Sequence, residues 1–175
     1  MCDVIVLGAG RGTRMGHAKV TMDVEGTPWW TLQQSWFERC GVDPIWVLSP
    51  TISIPAPRTT SASGAMIDSV RAGFALVRSE EVFILPVDIP APRPDVWDAL
   101  RGHDVAIPVS GEARGHPVCC RTAWLEARLG RAERLDAIIR PHASPVAVED
   151  ARPFLNLNTP DDLRTFVDSP DFVTF

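Results

Sequence analysis

The chain has 175 residues, a formal net charge of −5, 45% hydrophobic and 22% charged residues. That size predicts one domain, residues 1–175, able to bury most of its apolar surface. The ordinary apolar fraction excludes a disordered chain, and the acidic balance argues against a nucleic-acid partner. No run approaches the roughly 18 apolar residues of a membrane span, and no signal peptide is visible, so a cytoplasmic protein without membrane contact is expected.

Residues 3–7 (DVIVL) read as a short buried strand. A glycine-rich stretch follows, with Gly8, Gly10, Gly12 and Gly16. The segment 28–40 opens on Pro28 and closes before Gly41, which predicts a helix. Trp29 and Trp36, seven apart on it, share a face and read as core. Residues 45–48 form a second strand. The stretch 49–63 is rich in Ser, Thr and Pro and reads as loop, with a brief strand near Thr59. Apolar residues at 66, 67, 70, 74 and 77 predict a helix over 64–78. Residues 82–87 are a strongly apolar strand and 94–100 a helix. Strands are expected at 104–109 and 117–121, helices at 123–129 and 133–140, and a further strand at 146–148. Thr159 as N-cap and acids in the first turn predict a last helix over 160–167. Strands alternating with helices imply an α/β sandwich around a mostly parallel sheet, with ligands bound outside the carboxyl ends of its strands.

The four cysteines match no zinc or CxxC spacing. They read as apolar thiols in a reducing compartment, with adjacent Cys119 and Cys120 on opposite faces of a strand. Of 17 basic residues only Lys19 is a lysine. A lysine ammonium is a compact point charge that an arginine does not replace at a phosphate, which singles Lys19 out.

Residues 7–19 read LGAGRGTRMGHAK. Glycines let backbone N–H groups approach phosphate oxygens, and Arg11, Arg14 and Lys19 add positive charge. This is a polyphosphate cradle by physical logic; the competing reading is a surface turn with solvated arginines. The P-loop pattern fails, because Thr13, Met15 and His17 stand five residues after Gly8, Gly10 and Gly12. The dinucleotide pattern GxGxxG fails at Thr13. Asp88 ends the apolar run FILPVDIP, flanked by Pro86 and Pro90. A carboxylate on a rigid strand end suits Mg²⁺, which takes one or two protein ligands and otherwise phosphate oxygens and water; alternatively Asp88 shapes a turn. In NLNTPDDL, Asn156 and Asn158 point to one face if the stretch is a strand, and Asn158 offers an amide oxygen to the same metal or merely shapes the turn. His116 precedes a strand, where it faces a phosphate or an acceptor. No His pair has zinc spacing, and GxSxG is absent.

Five segments in order resemble the MobA-like nucleotidyltransferases, whose fold is Rossmann-like of the glycosyltransferase-A type. LGAGRGTRMGHAK is similar to LAAGxGxRMGxxK. GTPWW is similar to GxPLL, LPVDIP to LPVDxP, GHPV to GHPV, and NLNTPDDL to (N/D)-x-(N/D)-TPEDL. The resemblance implies transfer of a nucleoside monophosphate from an NTP to a phosphorylated acceptor, with release of pyrophosphate and dependence on Mg²⁺. It implies a nucleotide site at Leu7, Gly8, Ala9, Gly10, Arg11, Gly12, Ser63, Gly64 and Asp88. Arg14, Lys19 and Asp88 would be catalytic, Asp88 and Asn158 would hold the metal, and His116 would meet the acceptor. PVDIP and GHPV resemble the cytidylyl branch and NLNTP the guanylyl branch, so the NTP is CTP or GTP and the acceptor expected is molybdopterin. A sugar phosphate acceptor and a non-catalytic nucleotide-binding domain are the alternatives. Either a monomer or a homodimer is compatible with the sequence.

Overall fold

The computed structural model describes residues 2–10 and 18–173. In chain order they form β1 (Cys2–Gly8), a 3₁₀ turn (Lys19–Thr21), the hairpin β2 (Asp23–Val24) and β3 (Thr27–Pro28), and α1 (Trp29–Arg39). Next come β4 (Val42–Leu48), β5 (Thr59–Ser61), α2 (Met66–Phe74), β6 (Glu81–Pro86) and α3 (Pro94–Ala99). The second half holds β7 (Val105–Ser110), β8 (Ala113–Arg114), β9 (Val118–Arg121), α4 (Thr122–Leu129), α5 (Leu135–Ile139) and β10 (Ser144–Ala147). A second 3₁₀ turn (Arg152–Phe154), α6 (Pro160–Val167) and α7 (Pro170–Val173) complete the described chain.

The main sheet has the order β10-β7-β9-β6-β1-β4-β5, with β8 paired to β7. β1 pairs in parallel with β4 on one side and β6 on the other, while β9 runs antiparallel to both β6 and β7. The result is the expected mostly parallel, Rossmann-like α/β sandwich. Two-residue periodicity divides the sheet's side chains between two cores. Val4, Val6, Trp46, Phe83, Leu85 and Cys119 pack on one face with α1, α3 and α6. Ile5, Ile45, Val47, Val82, Ile84 and Cys120 pack on the other with α2, α4 and α5. Cys119 and Cys120 thus face opposite layers, as their adjacency predicts, and all four cysteines are free thiols. Trp29 and Trp36 are core residues in edge-to-face contact, ring centroids 5.5 Å apart. Among the described residues, no helix is long and apolar enough to cross a membrane.

Three expectations are corrected. The helix read over 64–78 is confined to Met66–Phe74. Gly64 holds φ +110°, which no helix accepts. The far end tightens through Leu76 N–H to the Gly73 carbonyl and Val77 N–H to the Phe74 carbonyl. The helix read over 133–140 keeps only Leu135–Ile139. Residues 156–158 are no strand. Leu157 N–H bonds the Asp88 carbonyl (2.9 Å), so this segment is tied to the β6 loop by a lone tether, not a ladder. Gly73 lets α2 sit close against the sheet: a Cβ there would lie 2.5 Å from Ile5 Cγ2.

Asp3, 4% exposed, anchors the amino end of β1. Its carboxylate accepts from Arg58 (2.5 Å), from the N–H of Arg78 (2.6 Å) and Ser79 (2.9 Å), and from the Ser79 hydroxyl (3.1 Å). Burial alone pushes this carboxyl up, but the Arg78 N–H, the Arg58 guanidinium and the Ser79 N–H together hold it below its ordinary value. A depressed folded pKa stabilises the protein above the unfolded pKa and ceases to do so as pH falls through the folded one. Asp3→Asn is therefore expected to cost about 1–3 kcal/mol at neutral pH. Thermal melts should show the gap between wild type and variant closing below pH of about 4; a gap independent of pH would mean the charge is not what matters.

Candidate active site

The site lies at the carboxyl ends of β1 and β6, where the chain switches from building one side of the sheet to the other. Leu7 stands opposite Pro86 in the parallel register, and Val87 N–H extends the ladder to the Leu7 carbonyl (3.1 Å). Gly8, Ala9 and Gly10 leave β1 level with Val87 and Asp88. A cleft of about 430 Å³ opens there, bounded by these residues together with Lys19, Gly64, Met66, Ser69 and Asn158.

Lys19 is aimed inward by its neighbour. Val20 is fully buried in the 3₁₀ turn and fixes the backbone, so the Lys19 side chain enters the cleft. Its ammonium donates to Asp88 Oδ2 (2.7 Å) and to Asn158 Oδ1 (2.6 Å). Residues 69 and 139 positions away thereby meet on one nitrogen. The Lys19 and Asp88 side chains are 17% and 20% exposed, so the pair is sheltered yet reachable. Asn158 is held from behind. Asp162 Oδ2 accepts its N–H (3.0 Å) and that of Thr159 (2.8 Å), while the Thr159 hydroxyl accepts from Asp162 N–H (3.1 Å). This is a reciprocal capping box on α6, and the predicted Thr159 N-cap is real. The Thr159 hydroxyl and main-chain N–H groups hold the Asp162 carboxyl below its ordinary value.

The β6 loop has a second support that sequence reading missed. Gln33 of α1 is fully buried. Its Nε2 donates to the carbonyls of Ile89 (2.9 Å) and Val87 (3.3 Å), and its Oε1 accepts from Ala91 N–H (2.7 Å). Trp29 Nε1 also donates to the Val87 carbonyl (2.7 Å). The residues on either side of Asp88 are thus splinted to α1. One Gln of an adjacent pair inside an aromatic helix carries little sequence signature of this role; its place on the buried face four residues after Trp29 is the one available signal.

Of the residues expected at the nucleotide site, Leu7, Gly8, Ala9, Gly10, Gly64 and Asp88 line the cleft. Ser63 is exposed and not among the lining residues. Arg11, Gly12 and Arg14 lie outside the described residues. Asn158 lines the cleft, whereas Asn156 is exposed and does not. Gly64 belongs here for a backbone reason, since its φ of +110° disfavours any side chain. His116 stands apart from the first cleft. Continuing the antiparallel pairing of Val118 with Ile84 brings it level with Pro86, two residues before Asp88. It borders a second cleft, of about 600 Å³. Burial holds its imidazole below the ordinary value, against the main chain of Ile84 and the Asp88 charge. Its Nδ1 is buried with no hydrogen-bond partner among the described residues.

An α/β sandwich with a glycine turn, a lone lysine and a strand-end aspartate on one cleft defines a protein built to handle phosphorylated nucleotides. The chain belongs to the MobA-like NTP transferase domain family, whose model matches residues 4–146, and it is a nucleotidyltransferase. It is similar in structure to Rv0371c from Mycobacterium tuberculosis, with TM-score 0.79 and 19% identity over 97% of this chain and 99% of that one. A manganese complex of Rv0371c also matches, with TM-score 0.73 and 19% identity over 95% and 98% of the two chains. A nucleotidyl transferase from Methanothermobacter thermautotrophicus matches with TM-score 0.78 and 18% identity over 100% and 99%. The molybdopterin-guanine dinucleotide biosynthesis protein A of Archaeoglobus fulgidus matches with TM-score 0.68 and 19% identity over 93% and 95%. Among curated proteins nothing matches significantly.

Proposed function

We propose that the chain, residues 1–175 acting as one catalytic domain, transfers a nucleoside monophosphate from CTP or GTP to the phosphate of molybdopterin and releases pyrophosphate. The observation that carries this reading is the convergence of Asp88 and Asn158 on the Lys19 ammonium beside the glycine turn. Two hard oxygens already share one cation there, and a divalent ion such as Mg²⁺ suits that donor set. Asp88 and Asn158 would hold the metal, which when bound withdraws charge from phosphate oxygens. The manganese complex of a structural relative is consistent with this.

In the proposed reaction an acceptor phosphate oxygen attacks the α-phosphorus. The bond from that phosphorus to the bridging oxygen breaks, and pyrophosphate leaves with the electron pair. The acceptor phosphate is already anionic near neutral pH, so no strong base is required. Catalysis is positioning and charge stabilisation. Backbone amides of residues 8–12 face the triphosphate, Arg14 and Lys19 offset the growing negative charge, and Gly64, next to Ser63, borders the base. His116 faces the acceptor. Free thiols at all four cysteines accord with a reducing cytoplasm.

The test is pyrophosphate release with Mg²⁺, comparing CTP, GTP, ATP and UTP with and without molybdopterin. Release with CTP or GTP that requires molybdopterin is the expected result. Release that is indifferent to molybdopterin but appears with a sugar phosphate would overturn the acceptor, and NTP binding without any turnover would overturn the reaction.

A further inference from the structure

Arg152 keeps only 1% of its surface exposed, and no step of the proposed reaction uses it. Taking a guanidinium out of water is unfavourable unless its surroundings compensate, so what it touches bears on its role. Its Nη2 donates to the Asp171 carbonyl of α7, and its guanidinium carbon lies 5.8 Å over the Trp36 ring of α1. Trp36 in turn meets Phe166 of α6 and Phe172 of α7 edge to face, at 6.2 and 6.0 Å. The Arg152 N–H bonds the buried Asp150 carboxylate (3.1 Å), whose other oxygen accepts from Arg93 N–H (2.7 Å).

From Asp150 to Asn158 the chain forms a strap past the carboxyl end of β6, tied to the site along its length. The Pro153 carbonyl accepts the His116 N–H (2.9 Å), and a Cβ on Gly115 would lie 2.5 Å from that same oxygen. Leu157, buried, bonds the Asp88 carbonyl through its N–H (2.9 Å). Asn158 ends the strap on the Lys19 ammonium (2.6 Å). The strap is short, begins with a 3₁₀ turn and packs closely, so a shift at one end is passed to the other.

One helix grips both halves of the proposed metal site. Trp29 and Gln33 of α1 hold the main chain on either side of Asp88. Trp36, a turn further along the same buried face, lies against Arg152. α1 is therefore the common reference for the Asp88 loop and for the strap that carries Asn158. A guanidinium stacks on a ring and bonds a carbonyl at once, which neither a lysine ammonium nor an apolar side chain reproduces.

We infer that Arg152 is a positioning residue: by clamping the 150–158 strap to α1 and α7, it sets where Asn158 stands relative to Asp88 and where His116 stands relative to both. The inference rests on the nucleotidyltransferase reading for what Asn158 and His116 do, and adds the distant residue that fixes them.

The full chain is compared with Arg152→Met, Arg152→Lys and Gly115→Ala, each folded and held well below its melting temperature. Two measurements need no turnover: Mn²⁺ affinity by titration calorimetry, and the His116 ring Cε1–H signal by NMR. Arg152→Met should weaken Mn²⁺ binding by about tenfold, as losing the support behind a metal ligand does. It should also move the His116 signal. Arg152→Lys keeps the charge and a donor for the carbonyl, and should recover part of that affinity. Gly115→Ala pushes on the Pro153 carbonyl from the His116 side and should weaken Mn²⁺ binding at the far end of the strap; it decides the matter should Arg152→Met not fold. A folded Arg152→Met that binds Mn²⁺ and presents His116 like wild type would overturn the inference, and so would a Gly115→Ala variant with unchanged Mn²⁺ affinity. Wild-type protein that binds no Mn²⁺, with or without NTP, would instead overturn the metal reading, and the His116 signal would still decide whether Arg152 holds the strap.

Discussion

Asp88→Ala is expected to lower kcat/KM by about 10³-fold, on the scale of losing a principal charge-stabilising group. Asp88 is the only acid lining the first cleft among the described residues, so its removal would leave the proposed metal site with one neutral oxygen, that of Asn158. Folding should survive, because the tethers of this segment are main-chain bonds: Leu157 N–H to the Asp88 carbonyl and Val87 N–H to the Leu7 carbonyl. Asn158→Ala should cost less, about tenfold, since it removes a neutral ligand. Lys19→Ala makes a sharper prediction, because two measurements should move in opposite directions. Turnover falls, about 10²-fold, as a cation facing the phosphates is lost. Yet Mn²⁺ binding without nucleotide tightens, because the ammonium no longer occupies the Asp88 and Asn158 oxygens. Lys19→Arg should not restore turnover, since a planar fork does not replace a compact ammonium. Unimpaired turnover in Asp88→Ala would show that the chemistry lies elsewhere.

The order of elements was legible wherever one physical signal dominated. β1 and β6 carry the apolar runs 4–7 and 82–86, which mark strands buried on both faces. α6 announced its start, through a capping threonine, an N1 proline and acids in its first turn. Where signals were local and weak, reading stopped short. The β2–β3 hairpin has two residues per strand, too few for periodicity. It turns at Glu25 and Gly26, both at positive φ. The Asn156–Asn158 alternation mimicked a strand, but alternation needs a paired neighbour to become one, and this segment has a single tether.

The site was legible to the extent that its chemistry is rare in the sequence. A solitary lysine and an aspartate after a fully apolar strand stood out by composition, and the fold brings them to 2.7 Å. Asn158 could be named but not separated from Asn156 until burial separated them. Ser63 was named by the resemblance; it is exposed and does not line the cleft, whereas Gly64 beside it does. The second cleft was invisible, because Met66, Ile107, Arg114 and Arg140 come from α2, β7, β8 and the turn after α5 and share no spacing. Gln33 was invisible for a different reason. Its partners are carbonyls and an N–H, and backbone groups leave no mark in a sequence.

Gln33→Leu should therefore damage both stability and the proposed metal site. The leucine fills much of the same volume, so the loss is of bonds and not of packing. Trp29 still donates to the Val87 carbonyl, but the Ile89 carbonyl and the Ala91 N–H lose their partner in a buried place. Two orphaned backbone groups cost about 2–5 kcal/mol. For a chain of this size that lowers Tm by about 5–15 °C. Instability alone would leave a fully active protein at temperatures well below the new Tm. A positioning role predicts more. With 87–91 released from α1, Asp88 loses its fixed relation to Lys19 and Asn158, and Mn²⁺ binds more weakly even in the cold, folded variant. An error of 1 Å in such a group costs up to about 10²-fold in rate, so kcat should fall more than KM rises. Gln33→Met provides the comparison, because its thioether is a weak acceptor for the Ala91 N–H and donates to neither carbonyl. It should match leucine in metal affinity while differing in packing. If both variants melt earlier but bind Mn²⁺ and turn over like wild type at low temperature, Gln33 merely holds the fold together.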